Sequence, residues 1–290
     1  MDLKYKKIQH INKIQKKTMV VNFSVLQNEN FFANGILTHN CYMKRHKPEG
    51  LDIAKNTGEI LTAINNHSCF TVVDKPNQTH ESLITYDISC NEDFALHLKY
   101  HNWQQIFDFF KMNEKIMGSF ATKYVNKKLL LYNPQKKIRI RFSLMPQCYA
   151  DVLEPETSSI QERLDAINMF VEAGYDVHVN FSPVIVTDNW LENYQKLFED
   201  LNNAVKDEYK PAVKAEVIFL THNTVRHHQN LKNNATGESL IWRPEIQEDK
   251  VSQYGGVNLR YKASLKAGYI ADFRKLHESI IPWNYIRYIF

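Results

Sequence analysis

The sequence predicts a parallel α/β fold over residues 41–290, preceded by a small, basic, β-rich arm over residues 1–40. Three observations lead there. Apolar β-branched runs alternate with amphipathic segments after residue 41, the pattern of strands joined by helical crossovers. The first 40 residues instead carry short alternating β-type stretches, Val20, Val21, Phe23 and Val25, and a hairpin-type Asn34-Gly35 pair. The charge divides at the same place. Residues 1–40 hold six Lys, no Arg and only Asp2 and Glu29. Removing those from the chain's 36 basic and 32 acidic groups leaves 30 of each, so residues 41–290 are neutral.

Within the arm, residues 1–17 are Lys-rich, with Ile8, Ile11 and Ile14 at three-residue intervals that suit a helix or strands of a small module. Two short strands around a turn are the simplest reading of 19–40. In the body, the spacing predicts strands at 69–74, 84–90, 117–123, 137–144, 176–186 and 215–221. It predicts helices at 102–113, 157–173, 189–205 and 263–279. Thr157-Ser158-Ser159 followed by Glu162 reads as a helix start, because a hydroxyl N-cap and an acid three residues on satisfy free amides reciprocally. Gly174 reads as the stop of that helix. The aromatic, apolar run from Trp283 to Phe290 reads as a final strand. Element order alone fits an open sheet or a barrel equally well.

Composition narrows the class. A chain of 290 residues with 43% hydrophobic content can bury one large core, or a domain with an appendage. No apolar run approaches the roughly 18–20 residues that span a bilayer, and the N-terminus lacks the apolar segment of a secretory signal. A cytoplasmic protein with no membrane partner is the expectation. The basic arm suits either a nucleic-acid-binding extension or docking onto an acidic partner. Cys41, Cys69, Cys90 and Cys148 are widely spaced, without a CxxC pair, so no complete local metal motif exists. Cys69 and Cys148 read as core cysteines. His227-His228 reads as a solvated helix or loop feature with no ligand set nearby.

The run Asn30-Phe31-Phe32-Ala33-Asn34-Gly35-Ile36-Leu37-Thr38-His39-Asn40-Cys41 resembles the C-terminal end of an intein. The stretch from Val21 to Val25 matches the block that precedes it in that family. The residue types suit the chemistry. The Asn40 side-chain amide can attack its own backbone carbonyl and cleave the chain as a succinimide forms. His39 can polarise that carbonyl or move protons near neutral pH. Cys41 supplies the thiol that accepts the upstream chain as a thioester, before an S-to-N shift restores a peptide bond. With only 40 residues before the junction, the resemblance implies the C-terminal fragment of a split intein. Its partner would be a separate chain bearing the N-extein and an acidic N-terminal intein fragment. Asn22 stands where the family usually has an acid, and Glu29 where it has a His; both bear on the rate of Asn40 cyclisation.

Cys41-Tyr42-Met43 carries a second resemblance. Radical S-adenosylmethionine enzymes bind a four-iron four-sulfur (4Fe-4S) cluster through CxxxCxxC, commonly followed by an aromatic residue, and soft thiolates suit that role. Here Cys41 would be the third ligand, with the first two on the partner chain. Residues 41–290 look like the spore photoproduct lyase group along nearly their whole length. The matching stretches include Ile88-Ser89-Cys90, Ala121-Thr122-Lys123-Tyr124, Arg141-Phe142-Ser143, Leu153-Glu154-Pro155, Ala173-Gly174-Tyr175 and Tyr254-Gly255-Gly256. The resemblance implies a partial (β/α) TIM-type barrel of the radical S-adenosylmethionine kind behind the intein fragment, with function at strand C-terminal ends. It implies that a 5′-deoxyadenosyl radical takes hydrogen from a thymine dimer in DNA, which then fragments. Cys90 matches the cysteine that returns hydrogen, and Tyr42 a tyrosine of the radical relay. Lys123 and Ser143 match positions that contact S-adenosylmethionine. Glu92 replaces a serine of the family's pattern, and the stretch from Asp74 to Ser82 is longer than in the lyases. Two other readings stay open: radical chemistry on a modified nucleotide or a protein, or a cluster-free remnant acting as a binding module. The neutral charge of 41–290 adds nothing to a DNA-binding reading, since such affinity rests on Lys and Arg at phosphates.

Overall fold

The structure is a computed structural model, and it describes residues 30–33, 36–39, 56–70, 80, 82–88, 93–232, 236–251 and 257–289. The readings made on residues 1–17, on Val20 to Val25 and on Asn34-Gly35 lie outside this set. Near the N-terminus β1 (Asn30–Ala33) pairs antiparallel with β2 (Ile36–His39), Asn30 opposite His39 and Ala33 opposite Ile36. These are the two short strands expected in 19–40.

The body is built on six parallel strands. They are β3 (Ile84–Asp87), β4 (Ile116–Thr122), β5 (Ile138–Ser143), β6 (Asp176–Val184), β7 (Ala215–Phe219) and, last in sequence, β11 (Ile286–Ile289). Their spatial order, β11-β7-β6-β5-β4-β3, is the order of the chain. Every crossover therefore adds the next strand on the same side, and the sheet curls into a half-barrel. Helices α2 (Trp103–Met112), α4 (Ile160–Glu172), α5 (Trp190–Ala204) and α8 (Ala263–Ile280) fill crossovers, and α1 (Thr57–Phe70) and α3 (Gln147–Leu153) flank them. Between β7 and β11 the chain inserts β8 (Thr221–Asn223), α6 (Thr224–Lys232), α7 (Glu238–Ile241), β9 (Gln247–Val251) and β10 (Val257–Tyr261). Strands β8, β10 and β9 form a separate antiparallel sheet in that order.

Why these segments fold so is visible in β5. Ile138, Ile140 and Phe142 are fully buried on the helix side, where Phe142 meets Phe170 of α4 edge-on at 5.3 Å. Arg139, Arg141 and Ser143 alternate onto the concave face and are also buried. The outer layer is closed by aromatics. Phe198 of α5 sits 5.3 Å from both Phe181 of β6 and Phe273 of α8. Each such side chain contributes roughly 1.5–3 kcal/mol on burial. Helix α4 starts and stops as the sequence predicts. Ser159 and Glu162 form a reciprocal capping box. At the other end Gly174 has φ +91°, Tyr175 N–H donates to Phe170 and Gly174 N–H to Val171, the paired bonds of a left-handed helix stop.

Three expectations need correction. Residues 69–70 are the end of α1, not the start of a strand at 69–74; the buried positions Leu61, Ile64 and Ser68 lie at helical spacing, and residues 71–74 lie outside the described set. Cys69 is exposed because it stands beside that stripe and not in it. Cys148 is exposed too, since α3 buries Tyr149, Ala150 and Leu153 instead. Among the described residues no helix is long and apolar enough to cross a membrane.

Candidate functional site

The concave face of the half-barrel is polar in layers. At the strand beginnings, Arg139 Nε donates to Asp176 Oδ2 at 2.6 Å, and His178 Nε2 lies 3.2 Å from Asp176 Oδ1. Burial pushes the His178 imidazole down to about 4, outweighing the Asp176 carboxylate beside it, so His178 is neutral near pH 7. One layer up, Arg141 donates to Asp87 at 2.7 Å and to Glu216 at 3.0 Å. Glu216 also accepts from Arg287 at 2.7 Å and from the Tyr288 hydroxyl at 2.7 Å. Burial alone would raise the Glu216 carboxyl, but Arg141 and Arg287 hold it down at about 2. The same strands thus carry apolar residues outward and a compensated charge lattice inward, as a filled barrel interior requires.

The third layer, at the C-terminal strand ends, gathers Lys123 and Ser143. Lys123 follows the last residue of β4, whose Thr122 pairs with Phe142 of β5, the residue before Ser143. Asp93 fixes this strand end. Its carboxylate accepts from the Thr122 hydroxyl and the Lys123 amide, both at 2.6 Å, and from the Leu96 amide at 3.1 Å. Ser158 holds the other side, donating its amide to Lys123 O at 3.1 Å and accepting from Val125 N–H at 3.0 Å. The Lys123 ammonium pairs with Glu154 Oε1 at 2.7 Å while its side chain stays 25% exposed. Glu154 Oε2 accepts from Arg163 Nη1 at 2.8 Å. Arg163 is fully buried and also donates to Ser143 O at 2.8 Å, Ser158 O at 2.9 Å and Thr157 Oγ1 at 2.7 Å. Burial pushes the Glu154 carboxyl up, but Lys123 and Arg163 outweigh it and keep it ionised below its ordinary range. One arginine therefore couples the ends of β4 and β5, and with them both residues expected at the cofactor.

Ser143 stands opposite Asn180 in the β5–β6 register, and Asn180 Oδ1 is buried with no hydrogen-bond partner among the described residues. This corner offers a partly exposed cation to a carboxylate and an unused acceptor to an ammonium. That donor set fits the amino-acid end of S-adenosylmethionine. His39 is the last residue of β2. Asn40, Cys41, Tyr42 and Cys90 lie outside the described residues. Ile88, two residues before Cys90, donates its amide to Ser119 O at 2.6 Å, so β3 reaches the same edge as β4.

Sequence reasoning missed the residues that do the holding: Asp93, Arg163 and the charge lattice. The strict alternation Ile138-Arg139-Ile140-Arg141 in a parallel strand was the available signal, since a strand covered on both faces normally reads as continuously apolar. The expectation for His227 is also corrected. Its side chain is 12% exposed and its Nδ1 lies 2.6 Å from Glu238 Oε1, which His222 Nε2 approaches at 2.6 Å as well. The partners are 5 and 11 residues away, on other elements, so local sequence could not show them.

A parallel half-barrel with its polar site at the strand C-terminal ends is the architecture of radical S-adenosylmethionine enzymes. The profile of the family described as spore photoproduct lyase matches residues 32–290, and the chain belongs to that family. The spore photoproduct lyase of Bacillus subtilis (strain 168) is 26% identical over 196 residues, 64% of this chain and 54% of that protein. That of Clostridium acetobutylicum is 26% identical over 149 residues, 51% of this chain and 43% of that protein. The chain thus spans about half the length of the curated relatives it matches. Among solved structures, a double mutant of spore photoproduct lyase with bound AdoMet and dinucleoside spore photoproduct superposes with a TM-score of 0.70 at 20% identity. The match covers 81% of this chain and 67% of that one. The lyase complexed with dinucleoside spore photoproduct gives the same values.

Proposed function

We propose that this chain is a precursor that splices in trans at Asn40–Cys41 to give a radical S-adenosylmethionine lyase resembling spore photoproduct lyase, acting on thymine-dimer-type lesions in DNA. The observation that carries the lyase reading is the corner where Lys123, Glu154, Arg163 and Ser143 meet, in a chain matched by the family over residues 32–290. Lys123 holds the cofactor carboxylate, and the Ser143 hydroxyl and Asn180 bind its polar end. When bound, S-adenosylmethionine and a 4Fe-4S cluster would supply the hydrogen-abstracting radical. Cys41 serves as third thiolate of the cluster, the other two coming from the partner chain. Cys90 holds the hydrogen that is returned to the product, and Tyr42 relays the radical.

The splicing reading rests on the residue types from Asn30 to Cys41 and on the basic arm, which suits an acidic N-terminal intein fragment. The β1–β2 hairpin that ends at His39 supports it, because it leads directly into the scissile bond. A second reading is favoured by one observation: the family match begins at residue 32, inside the arm. On that reading residues 32–40 belong to the lyase body and no peptide leaves. Co-expression with an acidic chain carrying the N-extein and N-terminal intein fragment, followed by intact-mass analysis, separates the two. Splicing releases a peptide of residues 1–40 and joins the extein to Cys41, and Asn40→Ala blocks release. An unchanged mass, or the same products with Asn40→Ala, removes the splicing claim.

A further inference from the structure

We propose that His222, His227 and Glu238 bind a divalent transition-metal cation of the zinc class, at a site separate from the Lys123 corner. The three residues come from three elements, the middle of β8, the first turn of α6 and the start of α7. Their candidate ligand atoms all lie within 4.8 Å of one another. Two imidazoles and one carboxylate are the ligand set of three-ligand zinc centres, which leave a fourth position to water. Tetrahedral ligands on bonds of roughly 2.0–2.2 Å sit about 3.4 Å apart, so the present contacts need open by less than about 1 Å.

Glu238 supplies the independent reason. It is 7% exposed, and its only ion-pairing partners among the described residues are these two imidazoles. Burial pushes its carboxyl up, yet the hydrogen bonds from His222, His227 and Asn230 hold it ionised. The similarly buried Glu154 and Glu216 each pair with at least one arginine. A buried carboxylate whose ion-pairing partners among the described residues are two imidazoles lacks the permanent positive charge that an arginine gives Glu154 and Glu216, and a divalent cation provides it. The surroundings orient the ligands as outer groups do in metal centres. Asn230 Nδ2 donates to Glu238 Oε2 at 2.7 Å, which leaves Oε1 to face both histidines. Trp242 stacks on His227 at 3.7 Å with rings 6° from parallel, fixing its plane. An imidazole ligates through a nitrogen that carries no proton, so ligation by His222 Nε2 and His227 Nδ1 places the N–H of each ring on its other nitrogen. The partial exposure of His227 gives the ion its way in. The bound cation would tie β8 to α6 and α7 across the segment that links them.

The competing account is a hydrogen-bonded triad in which a histidinium supplies the positive charge. The 290-residue chain, with Cys69→Ser and Cys148→Ser to remove exposed thiols, is stripped with chelator and titrated with zinc chloride by calorimetry. One site per chain with a dissociation constant below about 1 µM is expected, weakened at least ~100-fold in His227→Gln and in Glu238→Gln. Zinc should also raise the melting temperature of the parent and not of His227→Gln, each read against its own value in chelator. His227→Gln is the deciding variant should Glu238→Gln fail to fold, because its side chain reaches the surface. Absence of a zinc site in the parent, or equal zinc affinity in His227→Gln, overturns the proposal and leaves the histidinium triad.

Discussion

Arg163→Met should be among the most damaging single substitutions in the body. The guanidinium is fully buried and makes four hydrogen bonds, to Glu154, Ser143, Ser158 and Thr157. Methionine fills most of its volume, so the loss is electrostatic. Glu154 keeps Lys123, but two backbone carbonyls and the Glu154 Oε2 atom lose a donor. Breaking a buried pair by removing one partner costs about 3–5 kcal/mol. For a unit of this size each kcal/mol lowers the melting temperature by about 2–4 °C, so a fall of roughly 6–20 °C is expected. Denaturant unfolding of parent, Arg163→Met, Glu154→Gln and the double variant gives a full cycle. The double variant should be at least ~1 kcal/mol more stable than the sum of the singles predicts, because removing both members relieves the orphaned charge. A loss below about 1 kcal/mol for Arg163→Met, or strict additivity, would refute the claim that this arginine joins the ends of β4 and β5.

Three further outcomes are expected. Lys123→Met should weaken S-adenosylmethionine binding by the spliced protein at least ~10-fold by calorimetry, about 1.4 kcal/mol, while lowering the melting temperature less than Arg163→Met does. Gly118→Ala should cost about 1–3 kcal/mol, because its Cβ would lie 2.8 Å from Ile88 Cδ1 and 2.8 Å from the buried Phe110 ring; urea unfolding reads this. His178 titrates lower in the folded chain, at about 4, than its ordinary 6.5. The unfolded chain therefore takes up a proton that the folded chain refuses, and stability present above pH 6.5 falls as pH drops toward 4, by up to roughly 3 kcal/mol. His178→Asn should flatten that part of the pH profile, and an unchanged slope would contradict it.

The sheet was largely legible in the sequence because its strands carry β-type apolar residues at alternate positions, Ile138, Ile140 and Phe142 in β5 and Val177, Val179 and Phe181 in β6. The strands at 84–90, 117–123, 137–144, 176–186 and 215–221 each contain an observed strand or overlap it closely. Local signals with a local mechanism, the Ser159–Glu162 box and Gly174, were readable outright. What stayed hidden depends on contacts between distant residues. Helix α1 ends in Cys69-Phe70, followed by Thr71-Val72-Val73, a stretch whose β-type residues masked the helical stripe before it. Lys123 and Ser143 could be picked by resemblance, but Glu154 and Arg163, which join them, meet only through the fold. The same holds for Glu238, whose two histidines lie 16 and 11 residues upstream.

The most direct test of the account is turnover by the spliced protein. Purified without oxygen and loaded with iron and sulfide, it should consume dinucleoside spore photoproduct and release the two thymine nucleosides, in a reaction that requires S-adenosylmethionine and fails with Cys90→Ala. A protein that binds no iron, or that leaves S-adenosylmethionine uncleaved in the presence of that dinucleoside and a reductant, would contradict it.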